Sequence, residues 1–451
     1  MSVDREFAHH ADERLPRYTS YPTAPHFSAL ISSRKYRVWL SALPATMQSS
    51  IYVHIPFCRS MCWYCGCYTT ITQKDEPIAA YLAALHREIA VVADLPNAAI
   101  GVGHVHFGGG TPTIISPEAF DDLMRLLRAR FRIATDAEIA VEIDPRTLRP
   151  AMAATLAYAG VTRASFGVQT FDPVVQQAIN RVQSFAQTAT AVEALRGRGV
   201  RGINFDLIYG LPRQTVRSCI ETVEQCLDLK PDRLSVFGYA HVPAFKKHQR
   251  KIADVDLPDA QARLDQAEAI AERLVGAGYV RIGFDHYALP ADPLQSAQAR
   301  GTLRRNFQGY TSDPCQTLIG LGASAISRMP QGYVQNETVI ARYIDQIAQY
   351  GLATAKGYMF VSDDLLRAEI IERLMCDLQV DFDRVAAAHP AAPDVLAQAM
   401  PQLEVLAAEG IIDLDGGTVR IPDEARLLVR TVASVFDAHL ATSSRAYSRA
   451  V

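Results

Sequence analysis

The sequence predicts an α/β fold: a partial (β/α) barrel with an N-terminal arm and a small, mostly helical, winged-helix-like C-terminal domain. Between residues 50 and 240, short apolar runs rich in β-branched residues alternate with longer helix-like stretches, the pattern of a parallel sheet wrapped by helices. Polar residues and glycines follow the ends of those runs, and in a parallel sheet all such ends share one face. Beyond residue 360 the pattern changes to helices followed by a Gly-Gly hairpin. The expected divisions are an arm over 1–35, a catalytic barrel with extensions over 36–330, a connector over 331–360 and the C-terminal domain over 361–451.

Along the chain, the strand-like runs are Ile51 to Ile55, Val105 to Phe107, Glu138 to Ile143, Arg163 to Val168, Gly202 to Leu207 and Arg233 to Val236. Helix-like segments lie between them: Ile78 to Ala93, Pro117 to Arg130, Met152 to Ala159, Ser184 to Arg198 and Gln214 to Leu229. Six such units favour a barrel, partial or complete, although spacing alone also suits a doubly wound sheet. In the C-terminal part, helices are expected around Asp364 to Cys376 and Gln402 to Glu409, then a hairpin from Ile411 to Ile421 and a helix to Leu440.

Composition narrows the function classes. Of 451 residues 49% are apolar, and 45 Lys and Arg face 48 Asp and Glu, which gives no reason to expect nucleic acid or a membrane surface as partner. No apolar run approaches a membrane span, and the first residues lack the apolar core of a signal peptide. Eight cysteines are too sparse for a disulfide scaffold, so a reduced, cytoplasmic protein is expected. The winged-helix-like end has 8 Arg and no Lys against 15 Asp and Glu, which argues against phosphate contact and for a lid or scaffold.

Four cysteines, Cys58, Cys62, Cys65 and Cys67, fall within ten residues, while Cys219, Cys226, Cys315 and Cys376 are scattered. Three thiolates spaced CxxxCxxC on one loop can hold three irons of a 4Fe-4S cluster and leave the fourth iron open to a chelating small molecule. A zinc ribbon would need a second cysteine pair, which is missing. Trp63 and Tyr64 can wall the cluster from water or face a flat ring, and for Trp63 ordinary packing is an equal alternative.

Other candidates follow the later runs. Gly108-Gly-Gly-Thr-Pro-Thr113 is either a turn or a close-approach loop whose amides and Thr111 hydroxyl bind a carboxylate. Glu142 and Asp144 share one strand face by period-2 alternation: either they are a surface pair or, if that face is the barrel interior, they need ligands such as ribose hydroxyls or an ammonium. Asp206 is either paired in the core or aimed into the site. Gln169 and Arg181 are weaker candidates, since an Arg on a helix usually meets solvent. Tyr52 and His54 sit two apart on the first strand, toward the cluster or into the core, and a satisfied core histidine is the commoner fate. Gly320 to Ala325 reads as a turn bordering the site, its glycine spacing falling short of a dinucleotide fingerprint.

The CxxxCxxC loop with an aromatic before its last cysteine resembles the radical S-adenosylmethionine superfamily. The likeness extends over Pro16 to Pro22, Tyr52 to Cys67, the GGGTPT loop, Asn204 to Pro212, Asp232 to Phe237, Asp285-His286 and Arg305 to Thr311. Together these resemble the oxygen-independent coproporphyrinogen III oxidase family. The haem-chaperone relatives lack the extra cysteine, here Cys67, and the long arm. The resemblance implies oxidative decarboxylation of two propionates of coproporphyrinogen III to vinyl groups, giving protoporphyrinogen IX. It implies one 4Fe-4S cluster on Cys58, Cys62 and Cys65, with S-adenosylmethionine held by Tyr52, Tyr64, Gly109, Glu142 and Ile326. A second S-adenosylmethionine would use Gly110, Thr111, Gln169, Arg181, Asp206 and Ala240. Cys67, Tyr52 and His54 are the expected catalytic residues, with Cys67 a non-ligand donor of hydrogen or an electron. Arg17, Arg304 and Arg305 are candidates for substrate carboxylates on charge alone, and the arm is expected to fold across the barrel mouth. The expected partners are the porphyrinogen and an electron donor such as flavodoxin or ferredoxin, and the expected state is a monomer. Two other readings remain: a haem-carrying relative, and another radical enzyme acting on a tetrapyrrole.

Overall fold

Six consecutive parallel strands form the frame of the computed structural model, each longer than its apolar run: β1 (Gln48–Ile55), β2 (Gly101–Gly109), β3 (Arg132–Ile143), β4 (Arg163–Gln169), β5 (Gly202–Tyr209) and β6 (Arg233–Gly238). The structure describes residues 10, 13–96, 99–361, 363–389, 395–440, 447 and 449, so the first part of the expected arm and most of the segment after 440 lie outside the described residues. Helices α1 (Glu76–Asp94), α2 (Pro117–Arg130), α3 (Pro150–Tyr158), α4 (Phe185–Arg196), α5 (Val216–Asp228) and α6 (Ala260–Gly276) cover the outer face. Their starts are chemically marked. Ser116 caps α2 by accepting from Ala119 N, with Pro117 at the first helical position, and Ser184 and Gln187 form a reciprocal capping box on α4. Ser184 is therefore the cap rather than the first helical residue.

Six more strands extend the sheet: β7 (Val280–Ile282), β8 (His286–Ala288), β9 (Thr317–Leu321), β10 (Ile326–Met329), β11 (Gly332–Asn336) and β12 (Thr354–Met359). The order is β12-β11-β10-β9-β1-β2-β3-β4-β5-β6-β8-β7, with β9 parallel to β1 and the outer strands antiparallel. The two edge strands do not pair, so the barrel is partial. Residues 331–360, expected as a connector, instead supply β11, β12 and the helix α7 (Ile340–Tyr350), which buries Tyr343 and Ile347. Glu88 of α1 fixes that addition: its buried carboxylate accepts from Tyr343 Oη at 2.7 Å, Asn336 Nδ2 at 2.6 Å and Gly322 N at 2.7 Å.

Alternation along the strands sorts the side chains. On β4, Ala164, Phe166 and Val168 enter the core under the helices, while Arg163, Ser165, Gly167 and Gln169 face the barrel interior. β5 repeats this with Ile203, Phe205 and Leu207 outward and Asn204, Asp206 and Ile208 inward. The interior is therefore polar. At the starts of the strands it is closed by buried ion pairs, with Arg163 on Glu138 (3.0 Å), Asn204 (2.8 Å) and Asp292 (3.4 Å), and Arg233 on Asp292 (2.7 Å).

The C-terminal domain comprises α8 (Asp364–Asp377), a strand Gln379–Asp381, a short helix Phe382–Ala388, α9 (Val395–Ala408), the hairpin Asp413–Asp415 with Thr418–Arg420, and α10 (Val429–Ser434). Its three short strands pair antiparallel. The helix expected to reach Leu440 stops at Ser434. Asp437 diverts the chain there, accepting from His439 N at 2.9 Å and from Tyr18 Oη at 3.1 Å, and local capture of backbone by an Asp side chain competes with helix.

Candidate active site

The carboxyl ends of β1 to β6 surround a cavity of about 850 Å³. Cys58, Cys62 and Cys65 all reach its wall, none of them in a disulfide. Each sulfur has its own donors. Thr111 Oγ1 and Thr69 Oγ1 lie 3.3 and 3.4 Å from Cys58 Sγ. Arg181 Nη1 and Arg146 Nη2 lie 3.6 and 3.7 Å from Cys62 Sγ. Cys67 N donates to Cys65 Sγ at 3.4 Å. Hydrogen bonding from Cys67 pushes the Cys65 thiol down to about 6 against the effect of burial, with Lys246 and His248 adding positive potential. A side-chain hydrogen bond with Cys65, the charge of Cys65 and burial push the Cys67 thiol up. Burial raises Cys58, opposed by the two threonine hydroxyls. Three thiols on one wall, each with donors to compensate a thiolate, suit a cluster held by Cys58, Cys62 and Cys65 with Cys67 outside the ligand set.

The cysteine loop is pinned from behind. Trp63 N donates to Ile179 O at 2.9 Å, and Trp63, which does not line the cavity, packs with Val175, Ile179, Leu211 and Ile252 in a small apolar cluster beside it. Tyr64 does line the cavity. Buried Gln249 donates to Tyr64 O (2.9 Å) and Ala240 O (3.1 Å), tying the loop to the segment after β6. His248 contacts Cys65 O at 2.7 Å and Lys246 Nζ donates to Cys67 O at 3.0 Å.

Family comparison decides the class. The model described as the radical SAM superfamily matches residues 52–226, and the HemN C-terminal domain matches 362–428. The chain is 56% identical over 442 residues to the oxygen-independent coproporphyrinogen III oxidase of Bradyrhizobium diazoefficiens, covering 98% of each chain. It is 41% identical to the corresponding protein of Pseudomonas aeruginosa, covering 98% of this chain and 97% of that one. The solved structure of coproporphyrinogen III oxidase (HemN) from Escherichia coli, a radical SAM enzyme, superposes with a TM-score of 0.90 at 37% identity, covering 95% of this chain and 100% of that one. The chain belongs to the oxygen-independent coproporphyrinogen III oxidase family. Membership makes it a radical SAM oxidoreductase and implies a 4Fe-4S cluster and S-adenosylmethionine. Among the described residues no helix is long and apolar enough to cross a membrane.

The family's expected cofactor residues divide into wall and support. Gly109, Gly110, Thr111, Glu142, Gln169, Arg181, Asp206 and Ala240 line the cavity with Tyr64. Tyr52, His54 and Ile326 do not. Tyr52 Oη lies 2.9 Å from His54 Nδ1, and His54 Nε2 lies 3.0 Å from Tyr68 O, so both nitrogens of the buried histidine are engaged. His54 is a positioning residue here rather than one that touches a ligand. Ile326 begins β10, its carbonyl against Gly320, which pairs with Tyr52.

The GGGTPT loop corrects one expectation. Its amides are already used: Gly109 N donates to Glu142 Oε2 (3.0 Å), Gly110 N to Ile55 O (2.9 Å) and Thr111 N to Phe57 O (2.8 Å). The glycines are needed for fit, since a Cβ on Gly108 would meet Glu142 Oε1 at 2.6 Å, one on Gly110 would meet Phe57 O at 2.6 Å, and Gly109 has φ +120°. Carboxylate recognition by these amides is therefore replaced by a clamp between β2, Glu142 and the cysteine loop.

Asp144 lies one residue beyond β3 and is held below the ordinary carboxylate range: burial raises it, but Arg146 and Arg181 prevail. Arg181 is buried rather than solvent-facing, and also donates to Gly167 O at 2.5 Å. Gln169 ends β4 with φ +67°, a left-handed conformation unusual for a residue with a side chain and found most often where a site dictates it. Asp206 is pushed up to about 6 by burial, with Glu142 adding to it and Ser165 Oγ donating at 3.2 Å.

Of the three arginine candidates, Arg304 is bidentate with Glu372 (3.2 and 3.0 Å) and buried Arg305 pairs with Asp285 (3.4 Å); neither reaches the cavity. Arg17 does: it is exposed, lines the cavity and donates to Gly238 O at 3.0 Å. Sequence reasoning missed Arg146, Thr69, His106 and Gln249. Arg146 was marked by its place in Asp144-Pro-Arg at a strand end; His106, 3.1 Å from Glu142 Oε1, by alternation on β2. Thr69 and Gln249 carried no local signal.

Proposed function

We propose that this chain converts coproporphyrinogen III to protoporphyrinogen IX without oxygen, decarboxylating two propionate side chains to vinyl groups in haem biosynthesis. The observation that carries this is the single cavity walled by three donor-supported thiols on one side and by Arg17 of the arm on another, in a chain similar end to end to enzymes of that name. Each propionate must lose carbon dioxide, one hydrogen atom and one electron. The hydrogen β to the carboxylate is too weak an acid for a protein base, so polar residues alone cannot start the reaction. When bound, the cluster and S-adenosylmethionine supply a 5′-deoxyadenosyl radical able to take that hydrogen.

The protein's share is binding, orientation and exclusion of water. Cys58, Cys62 and Cys65 hold the cluster. Tyr64, Gly109 and Glu142 form the wall for the S-adenosylmethionine on it, with Tyr52 and Ile326 as support. Gly110, Thr111, Gln169, Arg181, Asp206 and Ala240 form a second band, suited to a second S-adenosylmethionine because Asp206 can face an ammonium or ribose hydroxyls. Arg17 receives a substrate carboxylate. Cys67, a thiol beside Cys65, serves as a hydrogen or electron donor. The electrons come from a carrier such as flavodoxin or ferredoxin, and the active unit is the monomer.

Anaerobic turnover of the reconstituted protein with coproporphyrinogen III, S-adenosylmethionine and reductant tests this. Vinyl products with about two 5′-deoxyadenosines per substrate, one per propionate, are expected. Adenosine without vinyl products would move the chain to another radical reaction, and an intact cluster without cleavage would favour a carrier.

A further inference from the structure

The outer side of the cysteine loop carries a compact basic face. Residues Lys246 to Lys251, ending in the short 3-10 helix Lys247–Lys251, place four cations in six residues of a chain whose formal net charge is −3. Two grip the loop: Lys246 Nζ reaches Cys67 O and stands 4.8 Å from the Tyr68 ring centre, and Lys251 Nζ stands 5.3 Å from that of Trp63. Lys247, Arg250 and Lys251 are exposed, as are the neighbouring Phe245 (60%) and Tyr68 (53%). The next acids in sequence are engaged locally, Asp254 with His241 at 3.0 Å and Asp256 with Arg213 at 3.2 Å.

We propose that this face docks a small acidic one-electron carrier protein, which delivers its electron through the cysteine loop. The inference rests on the radical reading and names the partner surface it requires. An electron must enter from outside, and this exposed segment reaches the loop that bears Cys62 and Cys65 directly, through His248 on Cys65 O and through Lys246, which also borders the cavity, on Cys67 O. Exposed aromatics ringed by cations match the small, polar, charge-steered contacts of electron-transfer pairs. One electron leaves the carrier and one enters the cluster, and no bond is made or broken.

The test uses the full-length reconstituted protein, flavodoxin as probe, and the variants Lys247→Glu and Lys247→Glu/Arg250→Glu, which leave the two loop-gripping lysines in place. Calorimetric binding of oxidised flavodoxin is expected to weaken about tenfold or more in the double variant and less in the single one, and to weaken in the wild type as salt rises from about 0.05 M to about 0.3 M. Cleavage of S-adenosylmethionine driven by reduced flavodoxin should fall in parallel, while cleavage driven by dithionite stays unchanged. Equal flavodoxin affinity and equal flavodoxin-driven rates in all three proteins would overturn the docking face. Absence of dithionite-driven cleavage in the wild type would strike the radical reading instead, and the binding data would still decide the docking face.

Discussion

Arg181 Nη1 lies 3.6 Å from Cys62 Sγ and 3.4 Å from Asp144 Oδ2, so one buried guanidinium touches a cysteine of the proposed cluster and a carboxylate at once. With Nη2 on Gly167 O it joins the cysteine loop to the ends of β3 and β4.

Replacing Arg181 should therefore act on both fold and site. Arg181→Met leaves Asp144 to Arg146 alone and strips a donor from Cys62, at a cost of about 3 kcal/mol for breaking a buried pair. Arg181→Lys keeps a charge but not the planar fork, and is expected to fold yet lose about tenfold or more in 5′-deoxyadenosine formation. Urea unfolding and anaerobic product assay separate the two effects; an Arg181→Lys protein with full activity would show that charge alone suffices.

The cysteines should divide three against one. Alanine at position 58, 62 or 65 is expected to abolish iron retention after anaerobic reconstitution, whereas Cys67→Ser should keep it. If Cys67→Ser also turns over at the normal rate, Cys67 has no donor role.

Asp206 gives a pH signature. Burial, with Glu142 adding to it, pushes its folded carboxyl up to about 6, above the ordinary aspartate value, so in that interval the native state holds the extra proton. Stability should then fall as pH rises from about 4 to about 6 and stay lower above, by on the order of 2 kcal/mol. Asp206→Asn should flatten this part of the profile. Denaturation between pH 4.5 and pH 7.5, approximate limits set by that window, checks it, and parallel curves for the two proteins would assign the slope elsewhere.

Arg430 should control the arm. It donates to Pro16 O at 2.9 Å and to Leu15 O, beside the Arg17 that lines the cavity. Arg430→Ala leaves those carbonyls without this partner and should cost about 2 kcal/mol, expose residues 13–20 to limited proteolysis, and slow turnover. Mass mapping of early cleavage sites would show the effect, and unchanged protection would place the hold on the arm elsewhere.

Much of this was legible because chemistry and period coincide. Strand alternation put Glu142 and Asp144 on one face, which the structure turns toward the cavity, and the cysteine spacing singled out Cys58, Cys62 and Cys65. Sequence was silent where pairing is long-range. Nothing near Arg304 reveals Glu372, 68 residues away, and nothing near the GGGTPT loop reveals that Ile55 and Phe57 take its amides. Residues 331–360 read as a connector because β11 pairs with β10 and β12 only with β11, and Glu88, which anchors them, lies far upstream.

The ion pairs among Glu138, Arg163, Arg233 and Asp292 have a kinetic corollary. With ion pairs at that end and Arg17 of the arm lining the cavity, ligands are expected to enter on the arm's side. Molecules must queue: those seated deepest enter first and leave last, and product must depart before the deeper ligand is exchanged. Steady-state kinetics should therefore be ordered rather than random, with the porphyrinogen the last to arrive and its product the first to go.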